Sequence, residues 1–275
     1  EKMNSIERLN EDGLTIILPT LNEEKNLEFL IPQIINNLDI INLVKYEILV
    51  IDDSSIDNTV SLVNDFNKNF SNIRLIVRKD KGSLPMSIYE GVASSRFKYV
   101  MWLDADGSMT SEAINKLILT QELNPDSVVV GSRFVEGGGY KGIEVVGRTS
   151  FTKAMINVYK SSDSVSATVL SKIFNNILFA IMPSQVKDLT SGFIISKKEY
   201  ICKNIFEKAS YGDYFIYLIN NLFNKDIDII EVGYLCEMRI YGDSKTGSSL
   251  TQLISRGLPY IQAAIRCRIV NNENL

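Results

Sequence analysis

The first 131 residues alternate short apolar runs with longer amphipathic segments. The apolar runs predict strands covered on both faces, and they are Leu14–Leu18, Tyr46–Ile51, Ile73–Arg78, Tyr99–Leu103 and Ser127–Gly131. The segments between them predict helices at Glu23–Asn37, Asp57–Phe70, Leu84–Ser94 and Ser111–Leu123. Because strands alternate with helices, the pattern predicts βαβ units, right-handed crossovers and a mostly parallel central sheet flanked by helices.

The second half of the chain is less regular. A glycine-rich loop at Gly137–Gly139 comes before segments that again suggest helix and strand. Helices are predicted at Lys172–Met182 and Tyr214–Phe223, and strands at Gly192–Ser196 and Ile227–Val232. A last helix, Leu250–Ile269, combines apolar and basic residues, so the prediction is an α/β fold with a C-terminal helical extension.

Composition narrows the classes of protein to which the chain can belong. Its 275 residues carry a net charge of -4, which argues against a nucleic-acid-binding protein. The three cysteines have no metal-ligand spacing and favour a reducing, cytoplasmic environment. No apolar run approaches the ~20 residues of a membrane span. The chain contains no histidine, so acid–base and metal chemistry must use carboxylates, hydroxyls, Lys and Arg.

Polar clusters follow three of the predicted strands. They are Pro19–Glu24, Asp52–Ser55 and Asp104–Asp106. Because open α/β sheets bind ligands at the carboxyl ends of their strands, the three clusters predict one site at one edge of the sheet. Asp104 and Asp106 can hold a hard divalent cation that bridges a diphosphate. The alternative is ordinary turns, in which Asn22 and Asp57 only cap helices.

Six segments of the chain resemble family 2 glycosyltransferases of the GT-A fold, most of all the dolichol-phosphate mannosyltransferase and polyprenol-phosphate glycosyltransferase group. They are PTLNEEKNL, VIDDSSIDNT, LDADGSM, VGSRF with the GGG after it, DLTSGF and RIYGDSKTG. The resemblance rests on their order and spacing. It implies a Rossmann-like GT-A domain at 1–248, with a nucleotide-binding half at 1–131 and an acceptor half at 132–248. An amphipathic helix at 249–275 follows.

The resemblance also implies roles for residues of the nucleotide-binding half. The nucleoside pocket would be lined by Pro19, Leu21, Glu23 and Asp53, with Asp53 at the base or ribose. Asp104 and Asp106 would hold Mg²⁺ or Mn²⁺ together with the donor diphosphate, and Ala105 would contribute its backbone. The implied donor is a GDP- or UDP-linked sugar.

Residues of the second half match positions that face phosphates or the acceptor in the family. Arg133 would face the sugar and acceptor phosphates, while Arg239 and Lys245 would reach the donor phosphates as catalytic groups. Asp188 would orient arginines or the acceptor. The acceptor phosphate would also meet Arg148, Ser171 and Lys172. The alternative is that the basic residues are solvated surface charges and Asp188 is a turn residue. Residues 149–168 resemble an insertion.

These assignments predict an inverting transfer to a polyprenyl phosphate. A phosphate oxygen would attack the anomeric carbon, and a phosphate is ionised near pH 7, so no histidine base is required. A sugar hydroxyl as acceptor would need a carboxylate base, for which Asp188 and Asp213 are candidates. Two alternatives stay open: a glycosyltransferase that acts on a glycan or lipid-linked oligosaccharide, and a non-catalytic nucleotide-sugar binder.

The C-terminal segment predicts how the chain would meet a lipid. Apolar side chains recur near helical spacing at Leu253, Leu258, Ile261, Ala264, Ile265 and Ile269, interspersed with Arg256, Arg266 and Arg268. A basic amphipathic helix can lie on an anionic membrane, which predicts peripheral contact with its cytoplasmic face. The alternative is a helix packed on its own domain or on a partner in a homo-oligomer.

Overall fold

The computed structural model of the protein describes residues 6–80, 82–140, 163–237, 241 and 250–273. The strands in these ranges are β1 (Leu14–Thr20), β2 (Tyr46–Asp52), β3 (Ile73–Val77), β4 (Tyr99–Trp102), β5 (Val128–Ser132), β6 (Gly139–Tyr140), β7 (Ile194–Lys197), β8 (Ile229–Gly233) and β9 (Leu235–Cys236). The helices are α1 (Arg8–Asp12), α2 (Glu24–Ile40), α3 (Thr59–Asn69), α4 (Leu84–Ser94), α5 (Ser111–Leu123), α6 (Asp163–Ile181), α7 (Lys203–Glu207), α8 (Tyr214–Asn224) and α9 (Leu250–Glu273), with a 3₁₀ turn at Lys198–Tyr200.

A seven-stranded sheet forms the centre of the described part, in the order β3-β2-β1-β4-β7-β5-β8. All neighbouring strands are parallel except β7, which is antiparallel to both β4 and β5. A second, two-stranded sheet pairs β6 with β9. The predicted α/β fold with a mostly parallel sheet is confirmed, and the reversed strand is the feature that the apolar pattern did not predict.

Both faces of the sheet are covered by helices, as the unbroken apolar strands predict. In β1, Leu14, Ile16 and Leu18 belong to one buried cluster with α2 and α5, while Ile17 belongs to another with α4 and α8. This alternation follows from the two-residue period of a strand. Full burial of such a side chain contributes about 1.5–3 kcal/mol. On the second face, a Cβ at Gly91 of α4 would lie 2.3 Å from Ile17 Cγ2, so the helix needs glycine to approach β1 this closely.

The start of α2 differs from the prediction that Asn22 caps it. Asn22 has φ of 57°, and its Oδ1 accepts a hydrogen bond from the backbone N of Ile56, 2.8 Å away. The first amides of this region are bound instead by the loop after β2: Glu23 N donates to Thr59 Oγ1 and Glu24 N donates to Asp57 Oδ2. The prediction was wrong because a tertiary contact replaced the local cap.

The helix α9 packs on the domain through small side chains. Ala263, Ala264 and Cys267 are buried in the cluster that contains residues of α6 and α8. Four of its aliphatic side chains are about half exposed, at Leu258, Ile265, Ile269 and Val270, whereas Ile261 packs against the cluster. Among the residues that the structure describes, no helix has both the length and the apolar character needed to cross a membrane.

Candidate active site

The carboxyl ends of β2, β1 and β4 lie next to one another because these strands are neighbouring and parallel. The loops that follow them carry the three predicted polar clusters. The first two clusters are directly bonded, since Asp53 N donates to Thr20 O at 2.9 Å and Asn22 N donates to Ser55 Oγ at 2.7 Å. The sheet order brings the third cluster, after β4, to the same edge.

Glu23 and Asp57 join the first cluster to the second. Glu23 is buried, at 8% exposure, and its backbone N binds Thr59. The carboxylate of Asp57 accepts bonds from Thr59 N, Thr59 Oγ1 and Glu24 N. Burial alone would raise the pKa of Asp57, but hydrogen bonds from Thr59 and Glu24 outweigh it, so the pKa lies below its usual value. Asp57 thus holds the two loops together as an ionised group.

The adjacent carboxylates of β2 and its loop have different partners. Asp53 forms an ion pair with Arg78, 2.6 Å from Oδ1 to Nη1, and its Oδ2 accepts a bond from Ser83 N. Asp52 is fully buried; its Oδ1 accepts a bond from Ser55 N, whereas its Oδ2 has no hydrogen-bond partner among the described residues. An orphaned buried acceptor is costly, so Asp52 is a functional candidate that the sequence reasoning missed. The sequence did contain a signal for the different roles of Asp52 and Asp53, because two consecutive residues at the end of a strand point to opposite faces of the sheet.

The residues predicted to line the nucleoside pocket lie at the ends of β1 and β2 and in the loops that follow them. Pro19 lies inside β1, opposite Ile51, and beyond Ile17, the last residue of β1 that pairs with β4. Its missing N–H therefore removes no bond to β4. Leu21, the next residue after the strand, is 39% exposed. An apolar, partly exposed side chain beside buried acceptors suits the flat face and polar edge of a nucleobase.

Asp104, Ala105 and Asp106 form a turn at the end of β4. Asp104 is exposed, while Ala105 and Asp106 are buried. Asp106 Oδ1 accepts a bond from Ser108 N, and Ser108 O accepts a bond from Glu237 N, so the turn is tied to the segment after β9. Within the described ranges no group of three or more potential ligand side chains is present. Asp104 and Asp106 place two carboxylates on one turn, an arrangement that suits a hard divalent cation.

Aromatic side chains lie close enough to this turn to feel the charge of Asp104. Trp102, the last residue of β4, donates from Nε1 to the hydroxyl of Tyr214 at 3.1 Å. Burial, reinforced by the negative charge of Asp104, raises the pKa of Tyr214 well above its usual value. Burial also raises the pKa of Tyr260 of α9, and nearby groups that include Asp104 add to this effect. A Cβ at Gly212 would lie 1.8 Å from the Tyr260 hydroxyl, so only glycine allows α9 this close.

Arg133 and Asp188 form a buried ion pair between the end of β5 and the segment before β7. Arg133 Nε and backbone N bind Asp188 Oδ2, and Nη2 binds Asp188 Oδ1 and Thr190 Oγ1. Its Nη1 donates to the hydroxyl of Tyr140, which in turn donates to Ser171 Oγ at 3.2 Å. Burial alone would lower the pKa of Arg133, but the charge and bonds of Asp188 raise it well above its usual value. Arg133 therefore connects β5 to α6 while it neutralises Asp188.

The other predicted acceptor residues are less closely connected. Lys172 follows Ser171 on α6 and is exposed. Asp213, the other candidate base, is buried and accepts bonds from Ser210 N, Ser210 Oγ and Tyr211 N, so its own turn engages it. Outside the described residues lie Arg148, Arg239, Lys245 and residues 149–162 of the predicted insertion.

Solved structures share this fold. The chain superposes on glucosyl-3-phosphoglycerate synthase from Mycobacterium tuberculosis, in a complex with Mn²⁺, UDP and phosphoglyceric acid, with a TM-score of 0.64 over 97% of this chain and 82% of that chain. The sequence identity is 16%, so the likeness concerns the fold, which is GT-A. A complex of the same enzyme with UDP-glucose, Mn²⁺ and phosphoglyceric acid gives a TM-score of 0.62 at 15% identity, over 98% of this chain and 84% of that chain.

Curated relatives are similar over parts of their length. Dolichol-phosphate mannosyltransferase of Pyrococcus furiosus is 28% identical over 84% of this chain and 58% of its own length. Dolichyl-phosphate beta-glucosyltransferase of Dictyostelium discoideum is 32% identical over 44% of this chain and 39% of its own. Poly(ribitol-phosphate) beta-N-acetylglucosaminyltransferase TarP of Staphylococcus aureus is 27% identical over 70% of this chain and 61% of its own. The chain thus spans less than two thirds of each relative's length.

A family model matches most of the region in which the site lies. Residues 15–202 match the model for glycosyl transferase family 2, a range that includes all three polar clusters and the Arg133–Asp188 pair. This range covers more than half of the 275 residues. The resemblance carried by the six sequence segments is confirmed: the chain belongs to glycosyl transferase family 2.

Proposed function

We propose that the protein is an inverting glycosyltransferase that transfers a sugar from a GDP- or UDP-linked donor to a polyprenyl phosphate. The observation that carries the proposal is that both carboxylates predicted as bases already have hydrogen-bond partners within the protein. Asp188 is fully buried and bound by Arg133, and Asp213 is bound by Ser210 and Tyr211. A hydroxyl acceptor needs a base to remove its proton, whereas an ionised phosphate attacks without one. A phosphate acceptor agrees with this arrangement.

The donor half of the site supports a nucleotide-sugar substrate. Asp53 follows β2, and the partly exposed Leu21 and the buried Glu23 follow β1 at the same edge of the sheet. Asp104 and Asp106 would hold Mg²⁺ or Mn²⁺ with the donor diphosphate. That cation, when bound, offsets negative charge on the leaving diphosphate. Glucosyl-3-phosphoglycerate synthase, which has the same fold, has been crystallised with UDP and either Mn²⁺ or Mg²⁺.

The chain's own residues would orient the reacting groups. Arg239 and Lys245 would stabilise the leaving diphosphate. Arg133 would balance the negative charge of Asp188 through their ion pair. Ser171 and Lys172 on α6, together with Arg148, would receive the acceptor phosphate. Lys172 supports this role because its ammonium group is exposed. Catalysis would then rest on positioning and on fixed positive charge rather than on proton transfer.

The relatives support a lipid phosphate and leave one other candidate. Two are named for dolichyl phosphate as acceptor, and they are 28% and 32% identical to this chain. TarP is named for poly(ribitol-phosphate) and matches 70% of the chain. The second candidate function is therefore transfer to a hydroxyl of a glycan or polyol, which would require a base other than the two carboxylates already bound.

Peripheral contact with the cytoplasmic face of a membrane is part of the proposal. The outer surface of α9 exposes Leu258, Ile265, Ile269 and Val270, and the adjoining α6 exposes Ile177 and Phe179. Arg266 and Arg268 lie on α9 among these aliphatic side chains. Apolar side chains flanked by arginines can enter the headgroup region of an anionic bilayer. Salt should weaken that contact, because it screens the arginines.

The test is transfer of a radiolabelled sugar from a panel of nucleotide sugars to a short polyprenyl phosphate and to the matching polyprenol. We expect product with the phosphate and none with the alcohol, in the presence of Mn²⁺ or Mg²⁺. Product on a glycan or polyol hydroxyl, with none on the lipid phosphate, would overturn the acceptor and favour the second candidate. Absence of transfer to any acceptor, together with tight nucleotide-sugar binding, would indicate a non-catalytic binder.

A further inference from the structure

The carboxylate of Asp53 is held from two sides. Asp53 follows β2, and its Oδ1 lies 2.6 Å from Nη1 of Arg78, which follows β3. Its Oδ2 accepts a bond of 2.6 Å from the backbone N of Ser83, the residue before α4. The side chains of Asp53 and Arg78 are only 9% and 7% exposed. The pair thus joins the ends of two strands to the start of a helix.

The guanidinium of Arg78 is itself held by the start of α4. The Nη1 atom that binds the carboxylate also donates to Ser83 O, at 3.3 Å, and to Ser87 Oγ, at 3.1 Å. At the backbone, Arg78 N donates to Asp52 O, and Arg78 O accepts a bond from Ser54 Oγ. Because its backbone and its side chain are both bound, Arg78 offers the carboxylate a partner in a fixed place.

The carboxylate of Asp53 retains capacity for a further partner. A carboxylate has about four acceptor positions, and within the described part of the chain Arg78 and Ser83 use one on each oxygen. A Cβ at the exposed Gly82 would lie 3.2 Å from Asp53 Oδ2, closer than side chains normally come. A side chain at position 82 would therefore crowd this oxygen, which glycine avoids. The remaining acceptor positions suit the N–H and O–H donors of a nucleoside.

A second ion pair joins β2 to β3 near the opposite ends of the two strands. Arg74 Nη1 lies 2.7 Å from Oε2 of the buried Glu47, which also accepts bonds from Thr15 Oγ1 and Arg96 N. The pair formed by Arg78 lies instead at the edge of the sheet that carries the polar clusters. Since a buried ion pair is often no more stabilising than well-packed apolar residues, stability alone does not account for Arg78 at this edge.

We propose that Arg78 is a positioning residue of the nucleoside pocket, which holds the carboxylate of Asp53 in the orientation that binds the nucleoside of the donor. The inference rests on the proposed function, because it requires a nucleotide sugar as the donor at this edge of the sheet. Arg78 acts through Asp53. Its replacement should therefore weaken binding of the nucleoside and leave binding of the diphosphate unchanged.

The first measurement compares Arg78→Met with the matched control Arg74→Met, which breaks the pair at the other end of the strands. Titration calorimetry in Mn²⁺ gives the affinities for UDP, GDP and inorganic pyrophosphate. We expect Arg78→Met to weaken binding of the preferred nucleotide about 10-fold or more, because the oriented charged hydrogen bond is lost, with pyrophosphate affinity unchanged. Arg74→Met should alter neither affinity, and Arg78→Lys, which keeps a cation, should lose less than Arg78→Met. Equal losses for nucleotide and pyrophosphate, or an unchanged nucleotide affinity, would overturn the proposal.

The second measurement tests whether Arg78 acts through Asp53. In an Asp53→Asn background, Arg78→Met should have little further effect on nucleotide affinity, because both changes remove the same oriented carboxylate. Additive losses would overturn the proposal. Thermal midpoints report whether each variant folds. If Arg78→Met is unfolded, Ser87→Ala takes its place, since it removes one bond to the guanidinium and leaves the ion pair. Unchanged nucleotide affinity in that variant would overturn the proposal in the same way.

The binding measurements do not depend on sugar transfer. If the parent chain binds a nucleotide in a manner that depends on Arg78 but transfers sugar to no acceptor, Arg78 keeps its role and the proposed function fails. If transfer occurs and Arg78→Met leaves the KM for the donor unchanged, the proposed function stands and the role of Arg78 is rejected.

Discussion

The guanidinium of Arg133 and the carboxylate of Asp188 lie side by side, joined by two hydrogen bonds of 2.8 Å, Nε to Oδ2 and Nη2 to Oδ1. Asp188 is fully buried and Arg133 is 13% exposed at the side chain. Each of these charges is stabilised by the other, because neither group is exposed enough for water to stabilise it without its partner. The first prediction follows from this dependence.

Replacing Asp188 with Asn should leave the Arg133 charge buried without a counterion. We expect the free energy of unfolding to fall by roughly 3–5 kcal/mol, measured by urea denaturation. Lys68→Ala breaks a surface pair with Asp65 and should cost less than about 1 kcal/mol, which makes it the control. A loss in Asp188→Asn no larger than that of the control would mean that the pair does not stabilise the fold.

The metal assignment predicts a loss of binding without a loss of fold. Asp106→Asn removes a carboxylate from the turn after β4, so the metal-dependent part of nucleotide binding should disappear. Titration calorimetry of UDP and GDP with and without Mn²⁺ measures this, and the thermal midpoint reports the fold. Asp65→Asn, at an exposed surface position, serves as the control. Unchanged affinity in Mn²⁺ would reject Asp106 as a ligand.

Lys245 is expected to act on the leaving group. Lys245→Ala should lower kcat by roughly 10²-fold at saturating donor, since a fixed positive charge matters most as the diphosphate departs. The nucleotide affinity should change less than kcat does. Steady-state rates with the preferred donor measure the effect, and Lys68→Ala provides a surface lysine for comparison. Full turnover in Lys245→Ala would make this lysine an ordinary surface charge.

Burial raises the pKa of both Cys236 and Cys267 to about 11. The thiolate is the reactive form, and a raised pKa means that it is scarce below pH 11, at roughly one part in a thousand at pH 8. Alkylation of the two thiols in the folded chain should therefore be slow at pH 8 and rise about 10-fold at pH 9. Iodoacetamide labelling followed by peptide mass analysis measures the rates. Rapid labelling of either cysteine at pH 8 would contradict the burial.

Local patterns predicted the strands and the three polar clusters because each depends on neighbouring residues. The prediction of Asn22 as a helix cap failed because Ile56, beyond the next strand, binds it instead. The assignment of Asp53 to the nucleoside did not foresee Arg78, which occupies its carboxylate. The resemblance implied that Asp188 orients arginines, but the pattern of the sequence alone does not identify Arg133, 55 residues away, as its partner. Side-chain direction and long-range pairing are set by the assembled sheet, and a one-dimensional pattern does not contain them.

The reversed strand β7 has a consequence for the order in which the chain can fold. It lies between β4 and β5 and joins them, and the other strand that pairs with β5 in the described part of the chain is β8. Because β7 separates β5 from β4, we expect β5 to be detached from the sheet of β1 to β4 when only the first 132 residues have been synthesised. The sheet can close only after residues 194–197 have been made and inserted from the opposite direction. A chain interrupted before residue 194 would leave one edge of β4 and both edges of β5 open, and open strand edges are sites of aggregation.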